Sequence, residues 1–357
     1  MKLLYITNGI NGAGGLERVL SVKASYFAEK FGYKVTILVL NNSHQNPFYE
    51  FSPKIKFCSI DIHGLSGYLK SYRRDIQKQI NSIKPDIISV CDDGLKGFFL
   101  PTIIRTKAKW IYERHVSKLT ELKEDLSIIK RIITSAKWTM MEILAKKFHR
   151  FVVLTENNKK EWISLKNIEV ISNPLSFYPT ESSSLENKTV ICVGKISYQK
   201  GQDLLVKAWK TVHERYGDWQ LHLYGKENQD ILDTSKLKNN IHYFAPAKDI
   251  MEKYLESSIY VMSSRFEGFG MVLVEAMACG VPCVSFDCDY GPSDIITDNV
   301  DGFIVEKENI SVLAEKIMVL INDSELRHRF GKNAKTNVER YKTEAIAKKW
   351  DLLFRSL

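Results

Sequence analysis

The chain has 357 residues, 44% of them hydrophobic and 26% charged, with a formal net charge of +9. That length suits two domains rather than one, and the composition is that of a soluble globular protein, which excludes a disordered chain or one that depends on disulfides or a metal for its core. Nowhere do about 18 apolar residues run together, so nothing is expected to span a bilayer.

The chain opens on an apolar run, Lys2–Thr7, that ends at polar residues; it predicts a first β-strand and not a signal peptide, which needs a small-residue cleavage site. Further β-branched runs at Lys34–Leu40, Ile55–Ile60, Asp86–Cys91, Trp110–Glu113 and Arg150–Leu154 are separated by helical stretches such as Leu16–Phe31 and Leu119–Lys147. This alternation predicts a parallel sheet covered on both faces. After Ile171-Ser172-Asn173-Pro174 the texture turns to Pro, Ser, Thr and Glu as far as Asn187, which reads as a linker. Strands then resume at Thr189–Val193, Trp219–Tyr224, Ile241–Phe244, Ile259–Met262, Pro282–Phe286 and Phe303–Val305. The expected fold class is α/β, with two Rossmann-like doubly wound domains facing a central cleft. Cys58, Cys91, Cys192, Cys279, Cys283 and Cys288 form no C-x-x-C pair and read as buried thiols of a reducing cytoplasm.

Residues 1–186 hold 28 Lys and Arg against 18 Asp and Glu, a net +10, so the whole basic excess lies in the first half. Much of it falls in Tyr68–Lys84 (Lys70, Arg73, Arg74, Lys78) and Lys118–Arg150 (Lys123, Lys130, Arg131, Lys137, Lys146, Lys147), interleaved with apolar groups such as Leu69, Tyr72, Ile128, Ile132 and Ile133. At helical spacing this makes either a basic amphipathic surface for anionic lipid or a solvated helix packed by its apolar face. Nucleic acid is not an expected partner, since no motif or aromatic platform accompanies the charge.

In doubly wound sheets ligands sit beyond the carboxyl ends of the strands. The first such loop, Gly9 to Arg18, contains Gly12, Gly14 and Gly15. Glycines let the backbone approach an anion and the next helix offers free N–H groups; a tight turn without a ligand is the other reading. The second strand ends at Asn41-Asn42, where a nicotinamide dinucleotide site would want an acidic residue, which argues against a dehydrogenase. Asp92-Asp93 ends the fourth strand, either for acceptor hydroxyls or as a solvated turn.

In the second half, Gly194-Lys195 and Lys200-Gly201 place two lysines where they can neutralise a diphosphate leaving group. Further on, Glu267-Gly268-Phe269-Gly270-Met271 turns from a strand into a helix, and Glu275 follows eight residues after Glu267. Both carboxylates can face one ligand, Glu267 toward sugar hydroxyls and Glu275 toward ribose hydroxyls, with the N–H groups of Phe269, Gly270 and Met271 left for the donor. Asp287-Cys288-Asp289 has the spacing of a divalent-metal motif, but the lysines supply the charge a metal would bring, so no metal is expected.

Together these motifs resemble the retaining GT-B glycosyltransferases of family 4 (group 1). The resemblance rests on Gly14-Gly15 with Glu17-Arg18, Gly194-Lys195 with Lys200-Gly201, the E-x7-E of Glu267 and Glu275, Gly280-x-Pro282, and Asp301-Gly302-Phe303. It implies a GT-B fold: an acceptor domain over 1–172, a donor domain over 188–339, a hinge at Asn173-Pro174, and a last helix, about 340–357 around Trp350, packing back on the first domain. It implies Lys195 and Lys200 on the donor diphosphate, Glu275 on the ribose and Glu267 on the sugar, with loops near Lys226-Glu227 and Phe244-Ala245-Pro246 receiving the base. Relatives often carry a histidine after the fifth strand; His115 fits that place, with Arg114 and Glu113 as alternatives. The expected catalytic residues are thus His115, Lys195, Lys200 and Glu267. The expected donor-binding residues are Gly14, Gly15, Arg18, Gly194, Lys195, Lys200, Glu267, Gly268, Phe269, Gly270, Met271 and Glu275.

The implied activity is transfer of a hexose or N-acetylhexosamine from a nucleotide diphosphate sugar, a UDP-sugar above all, to a glycan or polyprenyl-diphosphate-linked acceptor in capsule, O-antigen or exopolysaccharide synthesis. Configuration would be retained, no cofactor or metal is required, and the enzyme would work in the cytoplasm against the anionic inner face of the cell membrane. No carboxylate pair marks itself as nucleophile and acid/base, as one would in a retaining hydrolase. A nucleotide-sugar epimerase and a non-catalytic sugar- or lipid-binding protein are the competing classes.

Overall fold

The computed structural model describes residues 1–12, 14–41, 46–62, 67–91, 94–118 and 128–357. They form two compact units, Met1–Ser176 with Thr343–Leu357, and Phe177–Lys342.

The first unit runs β1 (Lys2–Thr7), α1 (Gly15–Lys30), β2 (Lys34–Leu40), β3 (Lys56–Ile60), α2 (Tyr68–Ile83), β4 (Ile87–Cys91), α3 (Leu95–Ile103), β5 (Lys109–Glu113), α4 (Ile128–Ala145), β6 (Arg150–Val153), α5 (Glu156–Lys159) and β7 (Ile168–Val170). Its seven strands are all parallel, in the order β3-β2-β1-β4-β5-β6-β7. Strand order therefore reverses between β1 and β4, where Thr7 lies beside Cys91. The central strands are buried on both faces, as their unbroken apolar runs require. On one face Phe98, Tyr112, Phe148, Phe151 and Trp162 make an aromatic nest, with Tyr112 stacked 5.2 Å from Phe151. Strand β7 is not foreseen by the pattern, because three residues at an edge, two half-buried and one exposed, are too few to show a period.

The two basic stretches part company. Helix α2 spends Tyr72, Ile76 and Ile80 on the core, and Arg73 and Arg74 are occupied by the Ile103 carbonyl and Asp75. It is a solvated helix packed by its apolar face. Helix α4 buries Met141, Leu144 and Ala145 near its end but leaves Ile129, Ile132, Ile133, Met140 and Ile143 exposed. Lys123 lies outside the described residues.

The second unit runs β8 (Thr189–Val193), α6 (Gln202–Arg215), β9 (Gln220–Tyr224), β10 (Ile241–Phe244), α7 (Ile250–Leu255), β11 (Ile259–Met262), α8 (Met271–Ala278), β12 (Cys283–Phe286), α9 (Pro292–Ile295), β13 (Gly302–Val305), α10 (Ile310–Asn322) and α11 (Ser324–Asn337). Its six parallel strands take the order β10-β9-β8-β11-β12-β13, with the reversal between β8 and β11. The stretch read as a linker is built into this unit from Phe177 onward. Leu185 and Ser183 are buried there, Arg327 donates to the Leu185 carbonyl, and the Lys335 ammonium caps the Thr180 and Glu181 carbonyls. Its polar composition hides these anchors.

Helix α12 (Thr343–Arg355) belongs to the first unit and packs along α1. The Phe354 ring lies 5.4 Å from Phe27, and the Tyr33 hydroxyl donates to Asp351. Beneath it Lys23 of α1 reaches into the sheet and pairs with Glu113 at the end of β5, both side chains 2% exposed. The Trp350 ring covers the ammonium at 4.2 Å. Burial alone would raise the Glu113 carboxyl, but Lys23 and then His115 outweigh it and hold it at about 2.

Removing the cation alone would strand a buried carboxylate, so Lys23→Met should destabilise the protein by about 3–5 kcal/mol, whereas adding Glu113→Gln should recover most of the loss. Urea unfolding of both variants measures this. The folded carboxyl lies below its ordinary 4.5, so its contribution is complete above that pH and is lost as pH falls through about 2. Wild type should lose this increment on acidification across that window; a Glu113→Gln curve with the same acid limb would refute the assignment.

Candidate active site

The second unit's switch point lies between β8 and β11, and the loops after these strands are clasped together. The Arg265 N–H donates to the Gln199 carbonyl at 2.8 Å, Ser263 Oγ to the Lys200 carbonyl at 3.0 Å, and Gln199 Nε2 to the Phe266 carbonyl at 3.2 Å. The Arg265 guanidinium makes a fork to both oxygens of Asp203 at 2.8 and 2.9 Å and lies 4.2 Å from the centre of the Tyr198 ring. Burial would raise Asp203, but Arg265 holds it below the usual carboxylate range. Gly201 is what allows the clasp: its φ is +63°, and a Cβ there would lie 2.0 Å from the Ser263 carbonyl oxygen.

The clasp brings two of the expected residues into contact. Lys200 Nζ donates to Glu267 Oε1 at 2.7 Å, and Ser264 Oγ donates to the same oxygen at 2.6 Å. The pair is partly open, with the Lys200 side chain 19% and the Glu267 side chain 6% exposed. Lys195 is exposed on the same loop and makes no ion pair among the described residues. Gly194 is packed against Lys200, with its Cβ position 3.4 Å from the lysine stem. Gly268, Phe269 and Gly270 carry the chain into α8, which starts at Met271; Gly270 has φ +95° and no side-chain cap stands over the helix start. Phe269 turns inward against Tyr341, and Glu275 is buried within α8. Lys226 and Glu227 follow β9, where the Ile196 N–H donates to the Lys226 carbonyl and Tyr243 Oη to the Gly225 carbonyl.

The Asp-Cys-Asp triplet faces otherwise. Cys288 is the buried member, its thiol pushed up by burial and by Glu267, while the Asp287 and Asp289 side chains are exposed and Asp289 lies 3.3 Å from Lys307. Arg265, Asp203, Gln199 and Ser264 are the residues that sequence reasoning missed. Arg265 and Ser264 adjoin the Glu-Gly-x-Gly turn, but a pairing across 62 residues leaves no periodic trace.

Gly14, Gly15, Arg18 and His115 belong to the first unit. There Glu17 folds back over the glycine loop, so that a Cβ at Gly12 or Gly14 would lie 2.5 Å from one of its oxygens, whereas Gly15 faces open space. The Arg18 guanidinium lies 5.1 Å from the centre of the Tyr49 ring. After β5, alternation sends Glu113 and His115 to one side and Arg114 to the other. Arg114 is 1% exposed and lies against Trp162, so it is a core residue; His115 Nε2 is 3.3 Å from Glu113 Oε2. Asp92, Asp93 and Asn42 lie outside the described residues. No described helix is long and apolar enough to cross a membrane.

Residues 179–337 match the family of glycosyl transferases group 1, and residues 16–147 match the glycosyl transferase 4-like family. The chain is 29% identical to the amylovoran biosynthesis glycosyltransferase AmsD of Erwinia amylovora, over 98% of each chain. It is 27% identical to an uncharacterised glycosyltransferase of Haemophilus influenzae, again over 98% of each. Over 59% of this chain and 45% of the relative, it is 32% identical to the poly(ribitol-phosphate) α-N-acetylglucosaminyltransferase of Staphylococcus aureus. Among solved structures, Anabaena HepE bound to UDP and glucose superposes with a TM-score of 0.80 at 19% identity over all of both chains.

Proposed function

The chain is a GT-B glycosyltransferase, a glycosyl transferase 4-like domain followed by a group 1 domain, and we propose that it is a retaining, metal-independent member of family 4 acting in cell-surface polysaccharide synthesis. In this reading it moves a hexose or N-acetylhexosamine from a UDP-sugar to a glycan or polyprenyl-diphosphate-linked acceptor. The observation that carries it is the Lys200–Glu267 pair at the switch point, because a lysine and a carboxylate there suit the two halves of a sugar nucleotide. When a diphosphate arrives, Lys200 moves its charge to the leaving group and Glu267 is released to a sugar hydroxyl. Lys195, exposed on the same loop, adds a second cation, and the uncapped start of α8 offers N–H groups. Gly14, Gly15 and Arg18 of the first unit are assigned to donor binding. Glu275 is assigned to the ribose and His115 to the reaction centre. The acceptor hydroxyl attacks the face that the leaving group departs from, and a donor phosphate oxygen takes its proton.

Relatives named for amylovoran and poly(ribitol phosphate), and a structural neighbour bound to UDP and glucose, support the substrate classes. Mass spectrometry after incubation with UDP-sugars and polyprenyl-diphosphate-linked sugars tests the reading. Transfer supports it, while an epimerised donor or no change favours the competing classes.

Lys200→Ala and Glu275→Ala should each lower turnover at least ~100-fold, the scale of losing one main electrostatic or positioning contact, with the fold retained by circular dichroism. Near-normal turnover at saturating donor would remove that residue from the site. Activity should persist in excess EDTA; a loss restored by magnesium or manganese would bring Asp287 and Asp289 back as ligands.

The same enzyme is read as peripheral to the anionic inner face of the membrane in the cytoplasm. Support comes from the exposed aliphatic stripe of α4 and the +10 charge of residues 1–186. Burial of apolar side chains and attraction of about 1 kcal/mol per basic residue together suffice for reversible binding. Vesicles containing anionic lipid should sediment the protein, and high salt should release it as the Debye length shrinks to about 3 Å at 1 M. Ile132→Ser with Ile133→Ser and Ile143→Ser should abolish sedimentation yet spare activity on a short water-soluble acceptor. Equal sedimentation of variant and wild type would mean α4 is not the membrane face.

A further inference from the structure

Glu113 has more partners than an ion pair needs. Its Oε1 accepts from Ser89 Oγ at 2.6 Å, its Oε2 accepts from Lys23, and His115 Nε2 stands 3.3 Å from that same Oε2. An ionised carboxylate only accepts, so the imidazole hydrogen facing it must be on Nε2. The other ring nitrogen, Nδ1, is buried and has no hydrogen-bond partner among the described residues, although the His115 side chain is only 6% exposed. A buried acceptor left in this state calls for a donor from outside the protein, a ligand hydroxyl or an ordered water. Cys91 lies close enough to complete a metal-like trio with Glu113 and His115, but the Lys23 ammonium already holds Oε2 as its cation.

We propose that Glu113 is a positioning residue for His115: by accepting the Nε2 hydrogen it fixes one neutral tautomer and leaves Nδ1 as an acceptor for a hydroxyl of the substrate. Lys23 holds the carboxylate in place, and Trp350 covers Lys23, so the last helix is coupled to the histidine through side chains of one unit. The hydroxyl is a sugar hydroxyl only if the transferase reading of His115 holds.

Long-range nitrogen–proton NMR on imidazole-labelled protein at pH 8 reports the tautomer directly, without substrate. Wild-type His115 should show Nε2–H alone. In Lys23→Met with Glu113→Gln, which leaves no unpaired ion, both tautomers should be populated. Turnover of UDP-glucose or UDP-N-acetylglucosamine, followed by UDP release, should fall about 10–100-fold with donor KM within about threefold. In a His115→Ala background the same pair of changes should cost nothing further. An Nδ1–H signal in wild type, or one unchanged tautomer in the double variant, would overturn the proposal, as would an equal loss of turnover without His115. If wild type releases no UDP from either donor, the tautomer signal alone decides the role of Glu113.

Discussion

All strands of each sheet run parallel, and this constraint places everything else. Parallel strands put every carboxyl end along one edge of the sheet, and the reversal of strand order opens a gap there that no crossover fills. In the second unit that gap lies between β8 and β11, whose following loops carry Lys195, Lys200 and Glu267. In the first unit it lies between β1 and β4, and His115 follows the next strand along. A sheet of antiparallel strands would have distributed these loops over two edges.

The Lys23–Glu113 and Lys200–Glu267 pairs differ in burial, and burial decides what each can do. Lys23 and Glu113 are sealed beneath Trp350 with every carboxylate oxygen occupied, so separating them leaves a charge in a low-dielectric interior. That pair is a fixed part of the scaffold. Lys200 and Glu267 are partly open to solvent, so that in the proposed reading a diphosphate replaces the carboxylate as partner of the lysine. An exchangeable pair suits a binding site, because each partner keeps the other solvated and oriented until the ligand takes its place.

The clasp between the loops after β8 and β11 explains why an ionic pair in a loop region is held in register. The Arg265 backbone N–H and the Ser263 hydroxyl fix the spacing, and the two-pronged Asp203–Arg265 contact resists shear. Gly201 is required there by contact as well as by conformation, since a methyl group would collide with Ser263. Without that clasp Lys200 and Glu267 would be two polar residues 67 positions apart.

The sequence by itself determined twelve of the thirteen described strands, the α/β alternation and the loops that carry the candidate site residues, because buried parallel strands must be continuous apolar runs and glycine turns punctuate them. It also marked Lys200, Glu267 and His115 by residue type and place. Only the tertiary structure decided that Lys200 meets Glu267, that Arg114 turns into the core while His115 turns to Glu113, and that Leu185 anchors a stretch with the composition of a linker. It also separated α2, whose apolar face is spent on the core, from α4, which leaves several large apolar side chains exposed. The reason is the same in each case. Periodicity reports which face of an element is apolar, but the partner of a charge and the surface that covers a face come from segments distant in the chain.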